Sequence, residues 1–152
     1  MTQSSNFTIK PLQTNHFDDW LPLWQAYLTF YETTLENTIS DNTWQNLTNT
    51  QSKIDGFGAW LQDEMVGFVH TVRHPNTWNT SDCCYLEDLF VSDNVRGQGM
   101  GRALIQHVYA FANDTDCNRV YWTTQEHNLT ARRLYDTIAS KTDMVQYRHN
   151  LS

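Results

Sequence analysis

The segment from Cys83 to Asn113 restricts the fold more than any other part of this chain. Residues 83–91 carry the aromatic, leucine and valine side chains of a strand. Three glycines then fall within five residues, at Gly97, Gly99 and Gly101. Beyond them Leu104, Val108 and Phe111 recur at helical spacing, which predicts a helix over 101–113. Strand, glycine loop and helix in that order suit a layered α/β arrangement. The glycines remove side chains where the backbone turns, so a bulky group can come close. A helix start presents unpaired N–H groups and the positive end of the dipole, and both favour phosphate. Arg96 and Arg102 flank the loop with positive charge.

Three readings of the loop compete. A dinucleotide fingerprint needs G-x-G-x-x-G, and here the third glycine comes one residue too soon. A Walker loop needs Gly-Lys-Ser/Thr, which is absent. A plain glycine turn without a ligand would suffice for a lone G-x-G. Arg96-x-x-Gly99-x-Gly101 directly after a strand is the more specific pattern.

The remaining elements follow from period and punctuation. Residues 7–10 read as a short strand ended by Pro11. Trp20, Trp24, Tyr27 and Tyr31, with Leu21 and Leu28, mark a helix. Its start is expected at Asp18 or Asp19, because Pro22 fits only a first turn. Ser40-Asp41-Asn42 is the expected cap of a second helix carrying Trp44 and Leu47. Residues 57–61 and 65–72 read as a hairpin turning at 62–64. A strand is expected over 119–124, a helix over 128–138 and a final strand over 144–148. That order makes residues 1–152 one α/β (α+β) domain with a mixed sheet. A length of 152 residues, 13% of them aromatic, allows a real core.

Composition narrows the function classes. The net charge of -7 argues against a duplex-DNA binder, which needs a basic face. No apolar run reaches the ~18 residues of a membrane span. The first residues lack the basic and apolar stretches of a signal peptide, so a cytoplasmic, reduced setting is expected. Cys83 and Cys84 are adjacent with no second pair, and the six His have no metal spacing, so no metal site is expected. Residues 1–85 hold three basic and nine acidic side chains, whereas residues 86–152 hold seven and eight. The acidic half suits a cationic ligand and the balanced half an anionic one.

The loop Arg96-x-x-Gly99-x-Gly101 resembles the pyrophosphate-binding signature of the GNAT superfamily of acetyl-CoA-dependent N-acetyltransferases. Val120-Tyr-Trp-Thr-Thr-Gln-Glu-His-Asn-Leu-Thr-Ala-Arg-Arg-Leu-Tyr is similar to that family's fifth strand and fourth helix, with Asn128, Ala131 and Tyr135 in register. Tyr85-Leu-Glu-Asp-Leu-Phe-Val is similar to the matching strand of spermidine/spermine acetyltransferases, and the stretch through Gln146-Tyr-Arg to the fungal histone and polyamine acetyltransferases. The resemblance implies the GNAT fold, a mixed, mostly antiparallel sheet of 6–7 strands with four helices.

It further implies that acetyl-CoA lies along Leu89, Phe90 and Val91, with its pyrophosphate on Arg96, Gly97, Gln98, Gly99, Met100, Gly101 and Arg102. A backbone N–H near Leu89 would polarise the thioester carbonyl. Asn128 would hold the cofactor arm and Ala131 would permit its approach. Tyr135 would protonate the departing thiolate, as a phenol that stays protonated at pH 7 can. Glu87 would take the amine proton or bind substrate charge, and strand alternation places Tyr85, Glu87 and Leu89 on one face with Asp88 on the other. Tyr27, Tyr31 and Glu32 would form the acceptor wall, although the same stripe can serve as plain core.

The expected activity is acetyl transfer to a primary amine of a small cationic acceptor, a polyamine or amino acid, or of a protein lysine. Two alternatives stand beside it: acetylation of aminoglycosides or other amine toxins, and an acyl-CoA-binding module without catalysis. A homodimer exchanging its last strand is the expected assembly, with neither nucleic acid nor membrane as partner.

Overall fold

The computed structural model describes residues 7–151 of the chain. They form two compact units, one ending at Trp122 and the other beginning at Thr123. The first holds the sheet. Its strands are β1 (Phe7–Pro11), β2 (Ile54–Leu61), β3 (Glu64–His74), β4 (Cys83–Val91) and β5 (Val120–Tyr121), and its helices are α1 (Phe17–Phe30), α2 (Asn37–Leu47) and α3 (Met100–Asp114). The strands lie in sequence order. All neighbours are antiparallel except β4 and β5, which run parallel with α3 between them in the chain. Gln62 and Asp63, both with left-handed backbone, close the β2–β3 hairpin.

The two faces of β3 separate two packing layers. Phe68 and His70 meet the rings of Trp24 and Trp20 on α1. A side chain on Gly67 would instead touch Leu104 of α3, and Phe57 of β2 meets His107 and Phe111. On the α1 side Leu12, Trp20, Trp24, Trp44, Leu47, Trp60, Met65 and Phe68 form one apolar cluster. Trp20 stacks on Trp24 with centroids 5.4 Å apart. On the other side Leu104, Ile105 and Val108 of α3 are fully buried. The helical stripe that marked α1 in the sequence is therefore core at Trp20 and Trp24, half-buried at Tyr27 and exposed at Tyr31.

Several boundaries differ from expectation. A 3-10 turn at Thr14–His16 leads straight into α1, so the helix begins at Phe17 and Pro22 lies in its second turn. Asp18 and Pro22 are both exposed, so water can satisfy the carbonyl that the proline leaves unbonded. Helix α2 starts at Asn37 rather than behind a Ser40 cap. Ser40 is instead buried, and its Oγ accepts the Trp24 indole N–H at 3.0 Å. β5 is shorter than expected.

The second unit contains α4 (Leu129–Ile138) followed by residues without regular secondary structure. Residues 144–148 form no strand, so the described residues give a five-stranded sheet in place of the expected 6–7. Val145 and Tyr147, two residues apart, could share one face of a strand, but both are exposed, as is Met144. A strand forms only where a neighbour takes its N–H and C=O groups, which local sequence does not supply.

Candidate active site

Strand β4 is irregular where it matters. Its pairing with β3 shifts between His70 and Thr71, so that His70 faces Asp88 while Thr71 faces Leu86. Glu87 is the extra residue of this β-bulge, and a bulge re-aims side chains. Regular alternation fails there. Tyr85, Asp88 and Phe90 share the face of Phe68 and His70, and Glu87 stands between the two sets. The expected grouping of Tyr85, Glu87 and Leu89 is thereby corrected: Asp88, not Glu87, lies with Tyr85 toward α1.

Asp88 is tied on both sides. The Tyr27 hydroxyl donates to its Oδ1 at 2.7 Å, and His70 Nδ1 lies 2.9 Å from its Oδ2. Burial and the neighbouring Asp88 charge push the Tyr27 phenol far above its ordinary range, so it remains a donor. Tyr31 packs edge-on against Tyr27 at 5.1 Å and is likewise raised by desolvation and Asp88. Desolvation, reinforced by Asp88, holds the Glu87 carboxyl above the usual carboxylate range. Glu32 is exposed, with left-handed backbone, in the turn leaving α1. The structure thus gathers Tyr27, Tyr31, Glu87 and Asp88 into a wall of rings and carboxylates.

Beyond the bulge, one edge of β4 opens. β5 pairs with β4 only at Cys84 and Tyr85, whereas β3 continues beside Leu89, Phe90 and Val91. Among the described residues no strand covers the β5-side edge from Glu87 to Val91, leaving backbone groups able to pair with an extended ligand. Arg96 crosses back at the end of this edge, donating Nε–H to the Val91 carbonyl at 3.1 Å. Its bridge to Asp93 is exposed and contributes little.

The glycine loop completes the arrangement. Gly97 and Gly99 have φ of 83° and 80°, and Gly99 is the residue preceding α3. A Cβ on either would meet nothing within 4 Å. The space is therefore not needed for packing, and the left-handed backbone is what requires glycine. Together with the leading amides of α3, which lack intrahelical acceptors, this is a cradle of N–H donors whose polarity suits phosphate. Gln98 and Arg102 are exposed and Met100 is buried beneath the loop. The buried Cys84 thiol is pushed up to about 12 by desolvation, which keeps it in the protonated form.

In the second unit, Asn128 caps α4 with its Oδ1 accepting the Ala131 N–H at 3.4 Å. Tyr135 lies on α4 seven residues after this cap. Arg132 donates to the Glu126 carbonyl and braces the same turn.

The sequence pattern of the Acetyltransferase (GNAT) family matches residues 17–138. The chain belongs to this GNAT acetyltransferase family. As a family member it is an N-acetyltransferase, with the GNAT fold. It is 30% identical over 149 residues to the D-amino-acid N-acetyltransferase HPA3 of Saccharomyces cerevisiae, covering 97% of this chain and 92% of that one. It is 28% identical over 85 residues to the thialysine N-epsilon-acetyltransferase of Caenorhabditis elegans, a match to 56% of this chain and 52% of that protein. A solved probable acetyltransferase superposes with TM-score 0.85 at 21% identity, over 95% of this chain and 98% of that one, a likeness of fold.

Two elements of the site were not legible as such in the sequence. His70 read as one of six scattered histidines, and Asp88 as a carboxylate facing away. Their only signal was a polar side chain inside an otherwise apolar strand. Their partners lie far along the chain, and the bulge that turns Asp88 inward has no marker of its own.

Proposed function

We propose that this GNAT enzyme transfers the acetyl group of acetyl-CoA to a primary amine of a small acceptor, an amino acid or a polyamine. The single observation that carries the reading is the β4 bulge. It places a wall of carboxylates and phenols immediately before an open strand edge that leads to the glycine loop at the start of α3. A cation is suited by the first part and an extended phosphorylated thioester by the second.

Acetyl-CoA supplies an acyl thioester activated for attack by nitrogen. Leu89, Phe90 and Val91 would pair with its extended arm, and residues 96–102 would hold its pyrophosphate. Asn128 and Ala131 carry the family roles of holding and admitting that arm. Glu87 takes a proton from the incoming ammonium, for which its raised proton affinity suits it. Tyr135 gives a proton to the departing sulfur. Tyr27 and Tyr31 border the amine.

An amino-acid acceptor is favoured by the match to HPA3 over nearly the whole length of both proteins. The family match crosses both units, which supports reading residues 1–152 as one catalytic domain. A homodimer is proposed as well, with residues 144–148 as the exchanged segment, since Met144, Val145 and Tyr147 are exposed.

Incubation with acetyl-CoA and a panel of D- and L-amino acids, spermidine and an aminoglycoside, following thiol release, tests the activity. Turnover with an amino acid is expected. Turnover only with the aminoglycoside overturns the acceptor class. CoA binding with no amine-dependent thiol release overturns catalysis in favour of a binding module.

A further inference from the structure

A chain of four polar side chains, buried at Trp20 and His70 and half-buried at Asp88 and Tyr27, runs from the core into the acceptor wall. The Trp20 indole donates to His70 Nε2 at 3.1 Å across fifty residues of sequence. His70 Nδ1 reaches Asp88 Oδ2 at 2.9 Å, and the Tyr27 hydroxyl reaches Asp88 Oδ1 at 2.7 Å. An indole N–H can only donate. His70 Nε2 therefore carries no proton, and its Nδ1–H donates to Asp88. Direction is thus fixed along the whole chain, with Asp88 accepting from both ends. Trp20 is 0% exposed and His70 2%. The His70 ring is also clamped in its plane, stacked on Phe68 with centroids 4.5 Å apart. Asp88 directly follows Glu87, the bulged residue.

We propose that His70, with its tautomer set by Trp20, is a positioning residue for acetyl transfer: it holds Asp88 in one orientation as a charged neighbour of Glu87 and, through Asp88, anchors Tyr27 of the acceptor wall. This rests on the reading of Glu87 as the base. The groups facing Asp88 are Tyr27 and Tyr31 from α1, His70 from β3 and Glu87 on its own strand. A negative charge that cannot swing away has two consequences. It opposes ionisation of Glu87, which keeps the base strong, and it offers the arriving ammonium a counter-charge already in place.

Three variants of the full-length protein separate position from charge. His70→Leu removes both hydrogen bonds. His70→Asn loses the Trp20 bond but keeps an N–H donor near the place of Nδ1. Asp88→Asn preserves shape, since its oxygen can accept from His70 and its amide can donate to the Tyr27 oxygen, but it removes the charge. Each is assayed by thiol release with acetyl-CoA and D-lysine or spermidine, with melting temperatures recorded alongside.

Expected for His70→Leu is a fall in kcat/KM for the amine of about tenfold or more, with KM for acetyl-CoA within about twofold, the pattern of a misplaced reacting group. His70→Asn is expected to recover to within about threefold of wild type, as its donor is retained. Asp88→Asn is expected to move the acidic limb of kcat/KM down by about one pH unit, the effect of deleting a neighbouring like charge. Both His70 variants lose the Trp20 bond, so a merely structural role would lower their activities together. That parallel loss, or an unmoved acidic limb in Asp88→Asn, overturns the inference while wild-type turnover stands. Absence of wild-type turnover, or Glu87→Gln at the wild-type rate, overturns the catalytic reading and this inference with it.

Discussion

Gly99 allows cofactor binding and folding to be separated in one position. Its φ of 80° places it in left-handed backbone at the start of α3, and a Cβ there would meet nothing within 4 Å. Gly99→Ala therefore costs the fold only backbone strain, about 1–2 kcal/mol. For a chain of this length that lowers the melting temperature by roughly 2–8 °C. Gly99→Asp strains the fold less, because Asp tolerates the left-handed region better than Ala. Toward CoA the order reverses. The alanine methyl adds bulk to the cradle, whereas the aspartate adds bulk and a negative charge facing pyrophosphate. Two like charges a few ångströms apart at a protein surface repel by several kcal/mol before salt screening. A loss of CoA affinity of about a hundredfold for Gly99→Asp and about tenfold for Gly99→Ala follows. Calorimetric titration with CoA, beside thermal melts, gives both rankings: stability Gly, Asp, Ala, and affinity Gly, Ala, Asp. Wild-type CoA affinity in Gly99→Asp, or affinities that merely follow stability, would refute the assignment of the loop to phosphate.

Further predictions concern the chemistry and the core. Tyr135→Phe is expected to lower kcat by about a hundredfold while KM for acetyl-CoA holds, in steady-state kinetics, as loss of a general acid does. Because the Glu87 carboxyl is raised, activity should climb with pH through a limb above the ordinary glutamate range, and Glu87→Gln should flatten that limb. The same raised value means that Glu87 contributes stability below the ordinary glutamate range and loses it as pH rises through the shifted one, which urea melts across that window can measure. Leu104→Ala, at a fully buried position of α3, should cost about 2–5 kcal/mol in denaturant unfolding without altering the acidic limb. Cys84, buried and raised, should resist thiol reagents until the protein unfolds.

What the residues determined locally is the part carried by short-range geometry. Gly97 and Gly99 announced a backbone turn before a helix, and both hold the left-handed conformation that glycine adopts most easily. Trp20 and Trp24 announced a buried helical stripe by period alone. The hairpin at Gln62 and Asp63, the strand at Cys83–Val91 and the family motifs are likewise short-range patterns that survive folding unchanged.

Tertiary structure decided what depends on partners distant in sequence. Alternation along β4 was broken by a pairing shift against β3, which no residue of β4 encodes alone, and so Asp88 rather than Glu87 met Tyr27 and His70. Ser40 looked like a cap until Trp24 took its hydroxyl in the core. Residues 144–148 looked like a strand, yet apolar side chains without a neighbouring ladder stay exposed. A sequence specifies which groups must be buried or bonded; only the assembled sheet specifies which of them meet, because hydrogen-bond partners fifty residues apart are chosen by register and packing rather than by any local preference.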